Sequence, residues 1–209
     1  MSAKSMGNLA EDPSAVRRHY SPKHDREVVN IQAGDCYVTD TDEGITTVLG
    51  SCIAACVRSP SLGIGGMNHF MLPASNSGGQ AQDPGFAMRY GAYAMEYLIN
   101  EILRRGGDRA SLEVKLFGGA SVMASLSDVG ERNIAFARDF LKTEGFKVSS
   151  EDLGDVNPRR VMYFPATGKA MVKRLQEVST TEIASREQEH MRAIASPPKQ
   201  QSTPDIELF

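Results

Sequence analysis

The segment from Leu49 to Pro73 constrains the fold most, because it consists of two apolar runs around a turn. CIAACVRS (52–59) is followed by the turn-forming PSLG (60–63), and GIGGMNHFMLP (63–73) returns as a second apolar run. This pattern predicts a β-hairpin. A turn centred near Ser61 puts Cys52 and His69 almost directly opposite each other, and opposed residues have Cβ atoms about 4.5–5.5 Å apart. We therefore expect the thiol and the imidazole to be close enough to share a proton.

A cysteine and a histidine placed in this way can serve as a nucleophile and its base. A free thiol, with a pKa of about 8.5, is only slightly ionised at neutral pH, so a nucleophilic cysteine needs such a partner. The imidazole then needs a third group that fixes its tautomer, and Thr46 and Thr47 on the preceding strand are the candidates. Gly50 and Ser51 predict a bend whose backbone N–H groups could stabilise an oxyanion.

Two alternatives compete with catalysis at this stage. A single cysteine and histidine facing each other in a hairpin more often pack together than react, and Cys36 and Cys56, which lack a neighbouring base, are interpreted as structural. A zinc site built from Cys36, Cys52, Cys56 and His69 would have suitable ligands, but the spacing lacks the paired C-x2-C elements of structural zinc sites.

Composition narrows the functional classes. The chain has 209 residues, which suits one core with additional tails. Its formal net charge of -3 provides no basic surface for nucleic acid.

No apolar stretch approaches the roughly 20 residues of a membrane span, and the N-terminus lacks the apolar core of a secretory signal, so we expect a cytoplasmic protein. The odd number of cysteines, three, then indicates free thiols rather than disulfides.

The rest of the chain alternates between strand and helix patterns. Strands are predicted for residues 28–40, 44–50, 112–120, 147–154, 159–168 and 170–178, and helices for residues 87–105 and 130–145. Ser179 and Glu182 form a capping box that predicts a last helix extending to about Ala195.

The two ends of the chain are interpreted separately from this core. Residues 1–24 are polar and are expected to form a disordered arm, residues 25–178 the folded domain, and residues 179–209 a C-terminal helix followed by a flexible tail. The terminal IELF is interpreted as an anchor onto its own domain, with a docking peptide as the alternative.

Several motifs, in a fixed order, resemble the CheD family of chemoreceptor glutamine deamidases. They are TTVLGSCIAACV, GGMNHFMLP, RYGAYAMEYLINEI, KLFGGA, GERN and YFPATGKAMVK. The resemblance extends from about Asp25 to Val178. GSC and NHF, in register with the other motifs, are its most specific elements.

The resemblance implies a protein-glutamine glutaminase that hydrolyses glutamine side chains of methyl-accepting chemotaxis receptors to glutamate and releases ammonia. It implies a triad of Cys52 as nucleophile, His69 as base and Thr46 as the threonine six residues before the cysteine, whereas Thr47 fits that spacing less well. The reaction would pass through a cysteine thioester and would need no metal or organic cofactor. Support of the oxyanion by Gly50 and Ser51 is inferred from the bend and not from the family.

The resemblance also implies an α+β fold, with α/β/β layers in which two sheets pack together and helices cover one side. It makes a CheC-type phosphatase a possible partner and receptor methyl ester hydrolysis a possible side activity. A noncatalytic chemotaxis adaptor and a zinc-stabilised binding protein remain as alternative functions.

Overall fold

The computed structural model describes residues 17–73, 84–122, 127–175 and 180–195, and strands and helices follow one another through them. The elements are β1 (Arg17–Ser21), β2 (Arg26–Asn30), β3 (Cys36–Thr39), β4 (Gly44–Leu49), β5 (Ile53–Ser59), β6 (Ile64–Asn68), α1 (Pro84–Arg104), a short 3-10 helix (Arg109–Ser111), β7 (Glu113–Gly118), α2 (Ser127–Thr143), β8 (Val148–Leu153), β9 (Arg159–Phe164), β10 (Lys169–Arg174) and α3 (Thr180–Ala195).

The strands form two five-stranded sheets. The first sheet has the order β1-β2-β4-β9-β10 and the second has the order β3-β6-β5-β7-β8. Most neighbouring strands are antiparallel, but β2 is parallel to β4, and β7 is parallel to β8. The chain passes from β7 to β8 through α2, which is the helical crossover that parallel neighbours require.

Two apolar cores hold the layers together. One core lies between the two sheets and contains Ile45 and Val161 from the first sheet and Ala54 and Met67 from the second. The other core lies between the second sheet and helices α1 and α2. The layer order is therefore sheet, sheet and helices, which confirms the predicted α+β class and the α/β/β arrangement that the resemblance implies.

The sequence of β5 suits a strand of the second sheet, which is the middle layer of the fold. Ile53, Ala55 and Val57 belong to the helix-side core, whereas Ala54 and Cys56 belong to the core between the sheets. Both faces of the strand are buried, so the strand is a continuous apolar run rather than an alternating one. Full burial of a side chain such as Ile53 contributes about 1.5–3 kcal/mol.

The predicted hairpin is β5–β6, but its register differs from the expected one. Cys56 pairs with Met67 and Val57 pairs with Gly66, so the turn is centred between Ser61 and Leu62. The bridge between Ile53 and Phe70 continues this register. Cys52 is therefore not opposed to His69 but is displaced from it by two residues. Because side chains in a strand alternate with a period of two, this displacement keeps both side chains on the same face.

The single strand predicted for residues 28–40 is wrong. It is divided into β2 in the first sheet and β3 in the second. Between them the chain turns, with the Asp35 carboxylate accepting a hydrogen bond from the backbone N–H of Gln32 (2.8 Å) and Gly34 at a φ of 93°. The β-branched residues predicted the extended backbone correctly, but they do not show where the chain changes sheets.

Residues 17–21 fall within the arm predicted for residues 1–24, but they form β1, which pairs with β2 along its whole length. The side chains of β1 are mostly exposed, so no apolar alternation could indicate a strand there. The pairing instead uses the free backbone edge of β2. Residues 1–16 lie outside the described part of the chain.

Helix α3 begins at Thr180 and ends at Ala195, where the capping box predicts the last helix. Ser179 itself, the tail from Ser196 and the terminal IELF lie outside the described residues. In the part of the chain that the structure describes, no helix is both long enough and apolar enough to cross a membrane.

A matched pair of glycines tests how tightly β7 and β5 approach each other. A Cβ on Gly118, at a φ of 113°, would lie 2.1 Å from the carbonyl oxygen of Cys52, whereas a Cβ on Gly145, at a φ of 75°, would have no neighbour within 4 Å. Gly145→Ala should cost only the left-handed strain of about 1–2 kcal/mol. Gly118→Ala should cost about 3 kcal/mol or more, since it also disrupts backbone hydrogen bonds. Urea unfolding of both variants measures the difference, and equal losses would contradict this packing.

Candidate active site

The Gly50-Ser51-Cys52 bend is the point at which the chain crosses from one sheet to the other. It joins the end of β4 in the first sheet to the start of β5 in the second. Its three carbonyl oxygens all accept hydrogen bonds from the surrounding protein: Gly50 from the N–H of Ala120 (2.7 Å), Ser51 from the Asn133 side chain (2.8 Å) and Cys52 from the N–H of Gly119 (2.8 Å). These bonds hold the bend in one conformation.

With the carbonyl groups held in this way, the three N–H groups of the bend converge on a single carboxylate. Oε1 of Glu187 accepts from Gly50 N (2.9 Å) and Cys52 N (3.2 Å), and Oε2 accepts from Ser51 N (2.8 Å) and Ser51 Oγ (2.7 Å). Gly50 leaves the space for this carboxylate, because a Cβ there would lie 2.8 Å from Oε2. The bend is thus a site for a negatively charged oxygen, as the oxyanion hypothesis for Gly50 and Ser51 requires.

The thiol of Cys52, a ring nitrogen of His69 and a carboxylate oxygen of Glu187 all lie within 4.8 Å of one another. All three residues are buried, and Cys52 has no exposed surface. Cys52 and His69 extend from neighbouring strands of the second sheet, while Glu187 reaches them from α3. Cys52 and His69 are therefore close together, as predicted. They are diagonal neighbours, displaced by two residues, and do not lie directly opposite each other.

Thr47 fixes the tautomer of His69. The Thr47 hydroxyl donates its single proton to the carbonyl oxygen of Ile31 (2.8 Å), and its oxygen lies 2.8 Å from Nδ1 of His69. The oxygen can then only accept from the imidazole, so Nδ1 carries the proton. Nε2 of His69 is buried without a hydrogen-bond partner among the described residues and keeps its lone pair. It is the nitrogen that is available to take a proton from the thiol.

The expectation that Thr46 contacts the imidazole is not met, because its hydroxyl donates to the carbonyl oxygen of Val161 in β9 (2.8 Å). Thr46 and Thr47 are consecutive residues of β4, so their side chains point to opposite faces of the sheet. Counting residues back from the cysteine cannot distinguish the two faces. The threonine that contacts the imidazole is Thr47.

The environment of the site holds both the Cys52 thiol and the His69 imidazole in their neutral forms. Burial, followed by the charge of Glu187 and its hydrogen bond with the thiol, raises the pKa of Cys52 well above its usual value. Burial also lowers the pKa of His69 to about 3, with a smaller contribution from His190. In this conformation, the proton stays on sulfur and the imidazole is uncharged.

The four-ligand zinc hypothesis is not supported by the positions of its cysteines. Cys36 belongs to the core on the helix side of the second sheet, and Cys56 belongs to the core between the sheets. Among the described residues, the group whose distances could suit a metal ion is Cys52, His69 and Glu187. The Glu187 carboxylate accepts four hydrogen bonds from the bend, and a metal ion bound to the carboxylate would have to replace them. The N–H and O–H donors of the bend also direct their positive ends towards the position that the ion would occupy.

Sequence reasoning did not identify three residues of the site. Asn133, in the GERN motif on α2, binds the carbonyl of Ser51 and accepts from the N–H of Leu72 (2.9 Å), so it connects the bend to the segment after β6. Tyr90 on α1 lies near Cys52, and burial, with a smaller contribution from Cys52, raises the pKa of Tyr90 to about 12. Glu187 follows no motif, and its only signal is an acidic residue on the apolar side of a helix.

Comparisons with known proteins agree with this geometry. A family model described as CheD chemotactic sensory transduction matches residues 71–174. A protein of Hahella chejuensis named "Probable chemoreceptor glutamine deamidase CheD" is 45% identical over 195 residues, which cover 93% of this chain and 91% of that protein.

Two further relatives carry the same name. The protein of Herminiimonas arsenicoxydans is 44% identical over 207 residues, covering 98% of this chain and 100% of the relative. The protein of Ralstonia nicotianae is 46% identical over 191 residues, covering 90% of this chain and 81% of the relative. Similarity at this level over nearly the whole length, together with the site at the bend, shows that this chain belongs to the CheD family.

Proposed function

We propose that this protein is a chemoreceptor glutamine deamidase, which converts selected glutamine side chains of methyl-accepting chemotaxis receptors to glutamate. One observation carries the proposal: a cysteine follows directly on a bend of converging N–H groups, beside a histidine whose unprotonated Nε2 is available. That arrangement is what attack on a carboxamide requires. The names of the relatives supply the substrate class.

In the first step, Nε2 of His69 takes the proton of the Cys52 thiol and the thiolate attacks the carboxamide carbon of glutamine. The C–O π electrons move onto oxygen, which becomes negatively charged. The N–H groups of Gly50 and Cys52 converge on the position that Oε1 of Glu187 occupies in the structure, and the substrate oxygen would take that position in place of the carboxylate. Removing one donor of this kind typically costs about a hundredfold to a thousandfold in rate.

In the second step, the protonated His69 gives its proton to the leaving nitrogen. The C–N bond breaks, ammonia departs, and a thioester with Cys52 remains. A water molecule, deprotonated by His69, then attacks the thioester carbon. The C–S bond breaks, which restores the thiol and leaves glutamate. Thr47 acts through the imidazole throughout and is therefore a positioning residue.

We further propose that the protein acts in the cytoplasm, where it would meet the cytoplasmic parts of the receptors. The same thiolate could also attack a glutamyl methyl ester, since the oxyanion formed would occupy the same position. A CheC-type phosphatase partner and this esterase activity remain predictions from the family resemblance. A noncatalytic adaptor with the same fold is the alternative that the following experiment separates.

Replacing the nucleophile tests the function directly. Cys52→Ala should abolish ammonia release from a receptor cytoplasmic domain and leave its glutamines unchanged by peptide mass spectrometry. Cys56→Ala is the matched control, because Cys56 is equally buried and lies four residues further along the chain, on β5, in the core between the sheets. It should retain turnover with some loss of stability. Normal ammonia release by folded Cys52→Ala would overturn the mechanism, and no release by the unmodified protein would favour the adaptor.

The two adjacent threonines provide a second test. Thr47→Val removes the group that accepts from Nδ1 of His69, so the imidazole can adopt the wrong tautomer, and kcat should fall by about tenfold to a hundredfold with little change in KM. Thr46→Val removes a buried hydrogen bond of the same length from the opposite face of β4 and should cost stability but not turnover. Equal effects of both variants on kcat would show that Thr47 has no specific role.

A further inference from the structure

Helix α3 closes the proposed active site from outside the two sheets. Its Glu187 carboxylate takes all the hydrogen-bond donors of the bend and lies beside the Cys52 sulfur. Glutamate is also the product of glutamine deamidation, with the same chain length as the substrate. The protein therefore holds a helix-borne copy of the product where the oxygen of a reacting side chain would have to lie.

The apolar contact of α3 with the rest of the protein is small. Ala184, Glu187 and Met191 lie at helical spacing and form the face that meets the core between the sheets. Of the α3 side chains that the structure describes, residues 182–194, Ala184 is the apolar one that is fully buried. Helix α1, by comparison, buries Met95, Leu98, Ile99 and Ile102. Glu187, with its four hydrogen bonds to the bend, is thus a principal attachment of α3.

We propose that α3 occupies the docking surface of the substrate and that Glu187 occupies the subsite of the target glutamine side chain. This inference rests on the proposed function. The partner that the surface fits is an α-helix that presents a glutamine, because the occupant in the structure is an α-helix that presents a glutamate. The receptor helix must displace α3 before the reaction can begin.

The hydrogen bonds at Glu187 indicate how tightly a substrate glutamine would bind the bend when it replaces Glu187. Both carboxylate oxygens accept, with two bonds each, whereas a carboxamide can accept through its single oxygen. A glutamine side chain alone would therefore bind the bend less tightly than Glu187 does. The substrate must gain the difference from the remainder of its helix, so isolated glutamine should be a poor substrate.

The docked glutamate also suppresses the nucleophile. Its negative charge and its hydrogen bond contribute to the raised pKa of the Cys52 thiol. When α3 leaves, water can reach the sulfur and this charge is removed, so both changes lower the pKa and increase the thiolate fraction. Activation and substrate docking are then the same event.

The decisive experiment turns α3 into a substrate. Glu187→Gln replaces one oxygen by an NH2 group of almost equal size, so the helix should still reach the site. The purified variant should deamidate its own position 187, which peptide mass spectrometry detects as conversion back to glutamate. The rate should be independent of protein concentration, because the reaction is intramolecular. Gln188, the next residue of α3, is the internal control and should remain an amide.

The Cys52→Ala background and the receptor assay separate the outcomes. With Cys52→Ala, the amide introduced at position 187 should persist. If the unmodified protein deamidates receptors but the amide at position 187 also persists in the Glu187→Gln variant that retains Cys52, the inference is wrong and the proposed function stands. If neither the receptor nor position 187 is deamidated, the proposed function itself fails.

A second variant tests the closure independently of self-deamidation. Glu187→Ala should increase the rate of Cys52 alkylation by iodoacetamide about tenfold or more, because removing the carboxylate lowers the pKa of the thiol and increases the thiolate fraction. Its pH profile should shift to lower pH. Glu189→Ala is the matched control, because Glu189 is an exposed glutamate on the same helix, and its alkylation rate should be unchanged. Equal alkylation rates for the two folded variants would overturn the proposed closure.

Discussion

The structure of the site depends on how the backbone is held at the crossing between the two sheets. The carbonyl oxygens of Gly50, Ser51 and Cys52 all accept hydrogen bonds from the interior, from Ala120, from Asn133 and from Gly119. A peptide group whose carbonyl is fixed has a fixed N–H direction, since the group is planar. The convergence of the three N–H groups is therefore determined by the sheets and α2, which position these partners. In the proposed reaction, these donors need no reorganisation of their own once the Glu187 carboxylate has left them.

Much of this site could be predicted from the sequence, and the exceptions have physical reasons. The hairpin pattern placed Cys52 and His69 on one face, and this survived a register error of two residues because strand side chains alternate with a period of two. The same alternation explains why Thr46 does not contact the imidazole as predicted. An error of one residue moves a side chain to the other face of the sheet. Thr47 is identified only by its partners, Ile31 and His69.

The contributions of the helices could not be predicted, because they depend on contacts between distant parts of the chain. In the sequence, nothing distinguishes Asn133 from other polar residues of α2, and only the fold shows that it binds the bend. Glu187 lies 135 residues after the cysteine whose N–H it binds, and helical spacing alone does not show which element an acidic residue will meet. Likewise, β1 was missed because strand pairing uses backbone groups and requires no apolar side chains.

In the proposed mechanism, the Cys52 sulfur forms a covalent bond with the receptor glutamine at this bend. Rapid acid quenching of a single turnover, followed by intact-mass and peptide analysis, detects this bond. We expect a transient species with the summed mass of enzyme and receptor domain less one ammonia, linked through Cys52 as a thioester. Deamidation that runs to completion with no such species at any time, or with the link on another side chain, would contradict it.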